Sequence, residues 1–241
     1  MLIHGVLTAW NIFFRSYTTV LPCIDIYRLL RYYFSISKRL EPENISSVRI
    51  RKDTCMSRHK EIINEIEMRD GRLLVIRKPD AEDAAEIIAY LNTVGGESDN
   101  LLFGKDEFHL SVEQEIEYID GMNRNPDAYL ILAVINETIV SVAQICSSNR
   151  PRIAHNSEVA ISVKKEYWGE GIGTAVLGEL IAYAKARGSI RTVSLGVRAG
   201  NANAIKLYEK FEFEKVGVHK DYFYVNGRYY DEILMDATLH S

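Results

Sequence analysis

The stretch Trp168-Gly169-Glu170-Gly171-Ile172-Gly173 constrains the fold most, because it joins an apolar strand to a long amphipathic helix. Three alternating glycines remove every second Cβ atom, so neighbouring backbone N–H groups can turn toward one anionic ligand. The N-terminal end of the following helix carries a partial positive charge that points to the same place. The pattern therefore predicts a pyrophosphate-binding loop at the start of a helix.

Other interpretations of this loop differ in glycine spacing. A dinucleotide-binding loop needs Gly-x-Gly-x-x-Gly and an acidic residue at the end of the next strand. Here the glycines alternate, and the next strand ends with Gly196-Val197-Arg198. A Walker-type loop needs Gly-Lys-Ser/Thr, which is absent from the stretch. A glycine-rich turn that binds nothing stays open as an alternative.

Charge and composition limit the partners of the chain. Its 241 residues are 47% hydrophobic and 26% charged, which is typical of a globular protein, and its net charge of −4 disfavours nucleic acid. Residues 1–72 carry a net charge of +4 and residues 73–241 one of −8. The acidic part favours a cationic substrate such as an amine.

The cysteine pattern bears on metal binding and on cellular compartment. Cys23, Cys55 and Cys146 are widely spaced and show neither zinc-binding nor disulfide spacing. No run of ~18 uncharged apolar residues occurs, and the N-terminus lacks the features of a signal peptide. We therefore expect no metal cofactor and a cytoplasmic protein.

Residues 1–67 differ from the rest of the chain. They combine a crowded aromatic segment without steady periodicity with a polar run, so we interpret them as an N-terminal extension. The extension is either disposable or the result of an early start codon, with Met56 or Met68 as the true start. An arm that contacts a membrane or a partner is the alternative. Residues 68–241 form the predicted domain, and a homodimer is left open.

From Leu73 onward the hydrophobic pattern is regular. It predicts a strand, two helices, three meander strands, a helix, a strand, a helix and a final hairpin. Ser111 and Gln114 form a capping-box signal, residues 95–100 are rich in turn formers, and Asn226-Gly227 is a strong hairpin signal. This order predicts an α+β fold.

Two motifs resemble the GCN5-related N-acetyltransferase (GNAT) superfamily, in its bacterial form, over residues 73–238. The family's cofactor motif reads Arg or Gln, two residues, Gly, one residue, then Gly or Ala. Gly171 and Gly173 match its second half, whereas Trp168 occupies its first position. The departure removes one side chain that could hydrogen-bond the cofactor.

The second motif lies in the helix that begins near Asn201. This segment is similar to the family's Asn-x-x-Ala-x-x-x-Tyr helix, with Tyr208 at the tyrosine position. In the family a Gly-Phe pair follows, but here the pair is Glu212-Phe213. Two motifs that occur in the family's order and in the expected structural context indicate the family more specifically than either motif alone.

The resemblance implies a GNAT-like acyl-CoA N-acyltransferase fold, in which helices flank a mixed central sheet that is splayed in its middle. It also implies an enzyme that moves an acetyl group from acetyl-CoA directly to a primary amine, on a small molecule or a protein N-terminus. The alternative is a sensor domain that binds acyl-CoA without turnover.

The resemblance also implies which residues hold the cofactor. The backbone of Ile161 and Val163 would polarise the acetyl carbonyl, and Asn201 would bind the pantetheine or cap its helix. The pyrophosphate would be held by the glycine loop and the start of its helix, which comprise Trp168, Gly169, Gly171, Ile172, Gly173 and Thr174.

Three side chains are candidates for proton transfer. Tyr208 would donate a proton to the departing thiolate, Glu158 is the first choice for the base and His155 the second. Each has a structural interpretation too, as a core tyrosine, a solvated rim glutamate and a structural histidine. The final hairpin would supply an aromatic and acidic wall for the amine, or it is simply a solvated hairpin; its side chains are Tyr222, Tyr224, Tyr229, Tyr230 and Asp231.

Overall fold

The computed structural model describes residues 60–239. Within them, eight strands form one sheet in the order β1-β2-β3-β4-β5-β6-β8-β7. All neighbouring strands are antiparallel except β5 and β6, which are parallel. The strands are β1 (Ile62–Glu67), β2 (Leu73–Arg77), β3 (Ala128–Ile135), β4 (Thr138–Ser147), β5 (Asn156–Val163), β6 (Thr192–Arg198), β7 (Glu214–Val225) and β8 (Arg228–Thr238).

Two pairs of helices cover opposite faces of this sheet. α1 (Ala84–Glu97) and α2 (Val112–Arg124) pack on one face, and α3 (Ile172–Arg187) and α4 (Ala202–Glu209) on the other. Alternate side chains of each strand enter alternate cores, because successive Cβ atoms of a strand point to opposite faces. The mixed, helix-flanked α+β architecture predicted from the sequence is confirmed.

Local turn and cap signals are found where the sequence predicts them. The Ser111 hydroxyl accepts from the Gln114 N–H at 3.3 Å, and the Gln114 side chain accepts from the Ser111 N–H at 2.9 Å. Asn226 and Gly227 both have positive φ, as a tight hairpin turn requires. Among the helices described in residues 60–239, none has the length and apolar character to cross a bilayer.

The first half of one predicted loop is helical. Residues 95–100 were expected to form a turn-rich loop, but α1 continues to Glu97 and includes Gly95. A Cβ atom on Gly95 would overlap the carbonyl oxygen of Gly104. This glycine therefore serves the close approach of two backbone segments, and not a turn.

The domain begins earlier than residue 68. The segment Ile62–Glu67, which the sequence analysis assigns to the extension, is the edge strand β1 and pairs along β2. The Asn64 side chain also donates to Glu179 of α3 at 2.6 Å. A start at Met68 would remove this strand. The aromatic arm and Met56 lie outside the described residues.

A buried ion pair ties β2 to the turn that precedes α1. Arg77 donates two hydrogen bonds to Asp83, at 2.6 and 2.7 Å, and Lys60 adds a third at 2.8 Å. Burial alone would raise the pKa of Asp83, but the bonds from Arg77 and Lys60 outweigh it and lower the pKa to about 2. Asp83 therefore stays ionised in a nearly solvent-free position.

The burial of Glu115 in α2 lowers the free energy of unfolding by an amount that depends on pH. Its side chain is 2% exposed, its Oε2 has no hydrogen-bond partner within residues 60–239, and burial raises its pKa to about 7. In the unfolded chain the pKa is close to 4.5. As pH rises from about 4.5 to 7, the unfolded chain ionises first, so the free energy of unfolding falls.

We expect Glu115→Gln to remove this pH dependence. The difference in free energy of unfolding between the variant and wild type should be about 2 kcal/mol larger at pH 8 than at pH 5, in favour of the variant. This magnitude follows from about 1.4 kcal/mol per unit of pKa shift. Urea denaturation at the two pH values measures the gain. Glu117→Gln, an exposed site on the same helix, is the control and should follow wild type. A Glu115→Gln variant that also follows wild type would contradict the expectation.

Candidate active site

The sheet opens between β5 and β6. Their parallel pairing is confined to three rungs and ends at Glu158 and Ser194. Beyond that rung β5 still pairs with β4 as far as Val163, and β6 still pairs with β8 as far as Arg198. The two strands therefore diverge, and the predicted splay in the middle of the sheet is confirmed.

Backbone donors of β5 face this gap. The N–H of Lys164 donates to Val140 of β4 at 2.9 Å, so every second residue of β5 points its N–H toward β4. The intervening residues Ile161 and Val163 point theirs toward the gap. In agreement, the Val163 carbonyl accepts from Trp168 Nε1 at 2.8 Å instead of from β4. The strand thus offers N–H groups to a ligand between β5 and β6.

The glycine loop lies at one end of the gap. Gly169 and Gly171 have φ values of 82° and 94°, in the left-handed region that disfavours a side chain. Gly171 is the N-cap residue of α3, and its carbonyl accepts from the Ala175 N–H at 3.0 Å. The preceding N–H groups of Ile172, Gly173 and Thr174 have no helical acceptor, because they belong to the first turn. These donors and the helix dipole suit an anion.

The negative charge of Glu170, inside the loop, is partly offset by Arg72, which lies just before β2 and also pairs with Asp70. Glu170 forms an ion pair of 2.7 Å with Arg72, which also lies 5.5 Å from the Tyr167 ring. No sequence pattern indicates this contact, since Arg72 and Glu170 are 98 positions apart and only the packed sheet brings them together. The pair reduces the negative charge near the expected pyrophosphate position.

A cavity of about 1250 Å³ runs from the glycine loop along the gap. It brings together residues of both motifs and of the diverging strands. The sequence-predicted residues that line it are Glu158, Ile161, Val163, Trp168, Gly169, Gly171, Ile172, Gly173, Thr174, Asn201 and Tyr208. The cavity is therefore the place where a cofactor and an acceptor can meet.

Tyr208 contributes a protonated hydroxyl to this cavity. Its ring packs at an angle against Phe213, with 5.9 Å between centroids. Burial raises the pKa of Tyr208 to about 12. The phenol is consequently a proton and hydrogen-bond donor throughout the neutral range.

The second motif ends in a backbone conformation that glycine favours. The family's glycine position holds Glu212, whose φ of 65° lies in the left-handed region. At the other end of α4, the Asn201 side chain accepts from the Ala204 N–H at 3.3 Å. The capping role predicted for Asn201 is present, while the residue also lines the cavity.

His155 is not brought to the cavity. It precedes the paired rungs of β5, and its carbonyl accepts from the N–H groups of Arg191 and Thr192 at 2.8 and 3.2 Å. These bonds place it at the closed end of the β5–β6 pairing. His155 therefore lies away from the gap, which opens three residues farther along the strand, and its role as the second choice for the base stays a prediction.

Glu232 was not singled out from the sequence, yet it lines the cavity. In a hairpin with polar alternation it looks like a solvated residue, but it is only 8% exposed. A Cβ atom on Gly196 would overlap its carboxylate, so Glu232 lies against the open part of β6. Its Oε2 lies 2.9 Å from Nδ1 of His219. The signal available in the sequence was a glycine, Gly196, in the interior of a strand.

Comparison with known proteins agrees with this geometry. Residues 98–213 match the sequence profile described as the acetyltransferase (GNAT) family. Over 110 residues, 46% of this chain, it is 31% identical to the L-amino acid N-acetyltransferase AaaT of Escherichia coli, of which it covers 68%. The chain belongs to the GNAT family. As a GNAT protein, it is an N-acetyltransferase that depends on acetyl-CoA.

Two further GNAT proteins mark the range of the similarity. The crystal structure of a GNAT acetyltransferase from Streptococcus pneumoniae is 30% identical, with a TM-score of 0.67, and the match covers 69% of this chain and 99% of that one. The [ribosomal protein bS18]-alanine N-acetyltransferase of Escherichia coli is 37% identical over 75 residues, 31% of this chain and 50% of that protein. The chain thus spans only half the length of the latter relative.

Proposed function

We propose that this GNAT protein transfers the acetyl group of acetyl-CoA directly to the α-amino group of an amino acid or of a protein N-terminus. The observation that carries the proposal is the gap between β5 and β6, which opens beside the glycine loop and is lined by Tyr208. The named substrates of the two curated relatives, an L-amino acid and a ribosomal-protein alanine, support the α-amino class.

The glycine loop and β5 would hold and activate the thioester. The N–H groups at the start of α3 would bind the pyrophosphate, and those of Ile161 and Val163 would donate to the pantetheine and to the acetyl oxygen. Donors that are already oriented toward the developing oxyanion stabilise the transition state by several kcal/mol. Strand β5 keeps them oriented because its other edge is bonded to β4.

Proton transfer would occur on both faces of the gap. Tyr208 on the α3/α4 face would donate its hydroxyl proton to the sulfur as the carbon–sulfur bond breaks. Glu158, at the last paired rung, presents an exposed carboxylate on the α1/α2 face that would attract a protonated amine. The amine would therefore enter from the face opposite the departing thiolate, which permits transfer without a covalent enzyme intermediate.

Turnover with a panel of amines tests the proposal. The full chain is incubated with acetyl-CoA and with amino acids, short peptides with free N-termini, N-blocked peptides and polyamines, and free thiol is measured. Thiol release with free α-amino groups but not with the matched N-blocked peptides is expected. Release only with polyamines would overturn the substrate class, and binding of acetyl-CoA without any release would overturn the proposed activity.

The glycine loop gives a separate prediction about cofactor affinity. Gly171→Ala places a side chain at a φ of 94°, which costs about 1–2 kcal/mol in the left-handed region. We expect the loop to relax out of its binding conformation, so that the dissociation constant for acetyl-CoA rises about 5- to 30-fold. Isothermal titration calorimetry measures the change.

The other end of the same helix supplies a matched control. Gly188 also has a positive φ, of 62°, and terminates α3. Gly188→Ala introduces comparable strain far from the loop and should leave acetyl-CoA affinity unchanged. Equal affinities in Gly171→Ala and wild type would contradict the assignment of the loop.

A further inference from the structure

We propose that Glu232 and His219 form the proton-accepting pair of the active site, in which Glu232 deprotonates the incoming ammonium and His219 passes the proton to solvent. The inference rests on the proposed function. It adds two residues of the β7–β8 hairpin to a site otherwise built from β5, α3, β6 and α4.

The first support is the position of the Glu232 carboxylate over Gly196. Gly196 lies two residues beyond the last β5–β6 rung, in the part of β6 that borders the gap. Its neighbours Leu195 and Val197 enter the core beneath α3, so the missing side chain of Gly196 would point to the α1/α2 face. The carboxylate of Glu232 occupies that space. It therefore borders the gap on the face from which the amine would enter.

The second support is a gradient of solvent exposure along the pair. The Glu232 side chain is 10% exposed and the His219 side chain 47%, with 2.9 Å between Oε2 and Nδ1. The imidazole stacks on the Tyr222 ring at 5.5 Å between centroids, which restrains its orientation. A carboxylate inside the cavity is thus linked to solvent through one titratable ring, as a proton relay requires.

Other charged groups around the pair are held by other contacts, although Arg198 Nε has no hydrogen-bond partner within residues 60–239. Arg198, the cross-strand neighbour of Glu232, lies over the Tyr230 ring at 3.9 Å and donates to Asn100 at 3.3 Å. Lys220, beside His219 on β7, is paired with Asp231 at 2.6 Å.

Glu158, on the opposite wall of the gap, is an exposed carboxylate. Glu232 lies almost buried against the cavity and contacts the His219 ring, through which a proton can leave to solvent. Glu232 is therefore the better-placed base of the two, and Glu158 would attract the ammonium.

The proposed reaction releases one proton to solvent for each acetyl group that is transferred. Glu232 takes one proton from R–NH₃⁺, and the resulting amine forms a bond to the acetyl carbon. The carbon–sulfur bond then breaks, and its electron pair stays on sulfur. The sulfur gains the Tyr208 proton, and the tyrosine is restored by the second proton lost from nitrogen. Proton transfer through His219 returns Glu232 to its carboxylate form.

The test is a pH profile of kcat/KM for the full-length Glu232→Gln variant with an amine that wild type accepts. We expect a loss of about 100-fold at pH 7, the lower end of what general base catalysis contributes, and a loss that shrinks as pH approaches the pKa of the amine. His219→Gln should show a smaller loss of the same form. Glu232→Asp should recover part of the rate, and acetyl-CoA binding should be unchanged in all three variants.

Two further variants test the geometry and the specificity of the effect. Gly196→Ala displaces the Glu232 carboxylate and should reproduce part of the loss, whereas Gly121→Ala, at an open site on α2, should not. Glu214→Gln, an exposed carboxylate on β7, is the charge-matched control and should behave as wild type.

The outcomes separate this inference from the proposed function. A Glu232→Gln variant with the wild-type pH profile would overturn the inference alone, as would a pH-dependent loss confined to Glu158→Gln. A loss that is equal at every pH would show that Glu232 has only a structural role, which also overturns it. Wild type that binds acetyl-CoA but acetylates none of the amines would overturn both.

Discussion

Replacing Tyr208 with phenylalanine is expected to lower kcat at least about 100-fold, while the affinity for acetyl-CoA stays within about twofold of wild type. The phenol is the cavity-lining donor on the α3/α4 face, and its pKa of about 12 keeps it protonated at every pH used for assay. Proton donation to a leaving group contributes 10²-fold or more in rate, with no counterpart in ground-state binding. Steady-state kinetics and calorimetry measure the two quantities.

The control for this substitution is Tyr183→Phe. The Tyr183 hydroxyl donates to the Pro126 carbonyl at 2.8 Å and does not line the cavity, so its loss should change neither quantity. The raised pKa also sets the sign of the pH dependence, because ionisation of Tyr208 removes the donor only near pH 12. A Tyr208→Phe variant with a normal kcat would remove Tyr208 from the mechanism.

The second large effect concerns stability. We expect Asp83→Asn to lower the free energy of unfolding by about 3–5 kcal/mol, because it leaves the charge of Arg77 buried without its carboxylate partner. The Arg77 side chain is only 7% exposed, so water cannot replace the lost ion pair. Urea denaturation at pH 7 measures the change. Asp120→Asn, an exposed site on α2, should change stability by less than about 0.5 kcal/mol.

The same ion pair predicts an acid transition. The pKa of Asp83 is lowered in the folded protein, so its stabilising contribution is complete above the unfolded value of 3.8 and is lost as pH falls toward 2. The Asp83→Asn variant should lack this part of the pH dependence. If wild type and variant lose stability in parallel between pH 4 and pH 2, the Arg77–Asp83 pair does not contribute as described.

Elements whose cause lies in a few adjacent residues could be predicted from the sequence. The Ser111 capping box, the Asn226-Gly227 turn and the left-handed glycines of the loop all follow from local backbone preferences. The strand β1 could not, because its segment has little hydrophobic alternation and is held by pairing with β2. The helical state of Gly95 likewise depends on contact with Gly104, nine residues away.

The candidate site also has a part that could be predicted from the sequence and a part that could not. Its cofactor side consists of two contiguous motifs, and all the residues predicted there line one cavity. Its acceptor side consists of side chains from separate strands, and His155, which was chosen on chemical type, lies just before β5 at the closed end of the β5–β6 pairing. Glu232 was overlooked because its burial depends on how the hairpin packs against β6.

The sequence by itself determined the glycine loop, the helix that follows it and the tyrosine helix, because backbone freedom and helix capping act over a few neighbouring residues. Only the tertiary structure decided where the sheet opens and which carboxylates border the opening. The pairing of β5 with β6 ends at Glu158 and Ser194, and Gly196 leaves room for a carboxylate from a strand 36 residues later. These contacts arise from the packing of distant strands, and no local pattern encodes them.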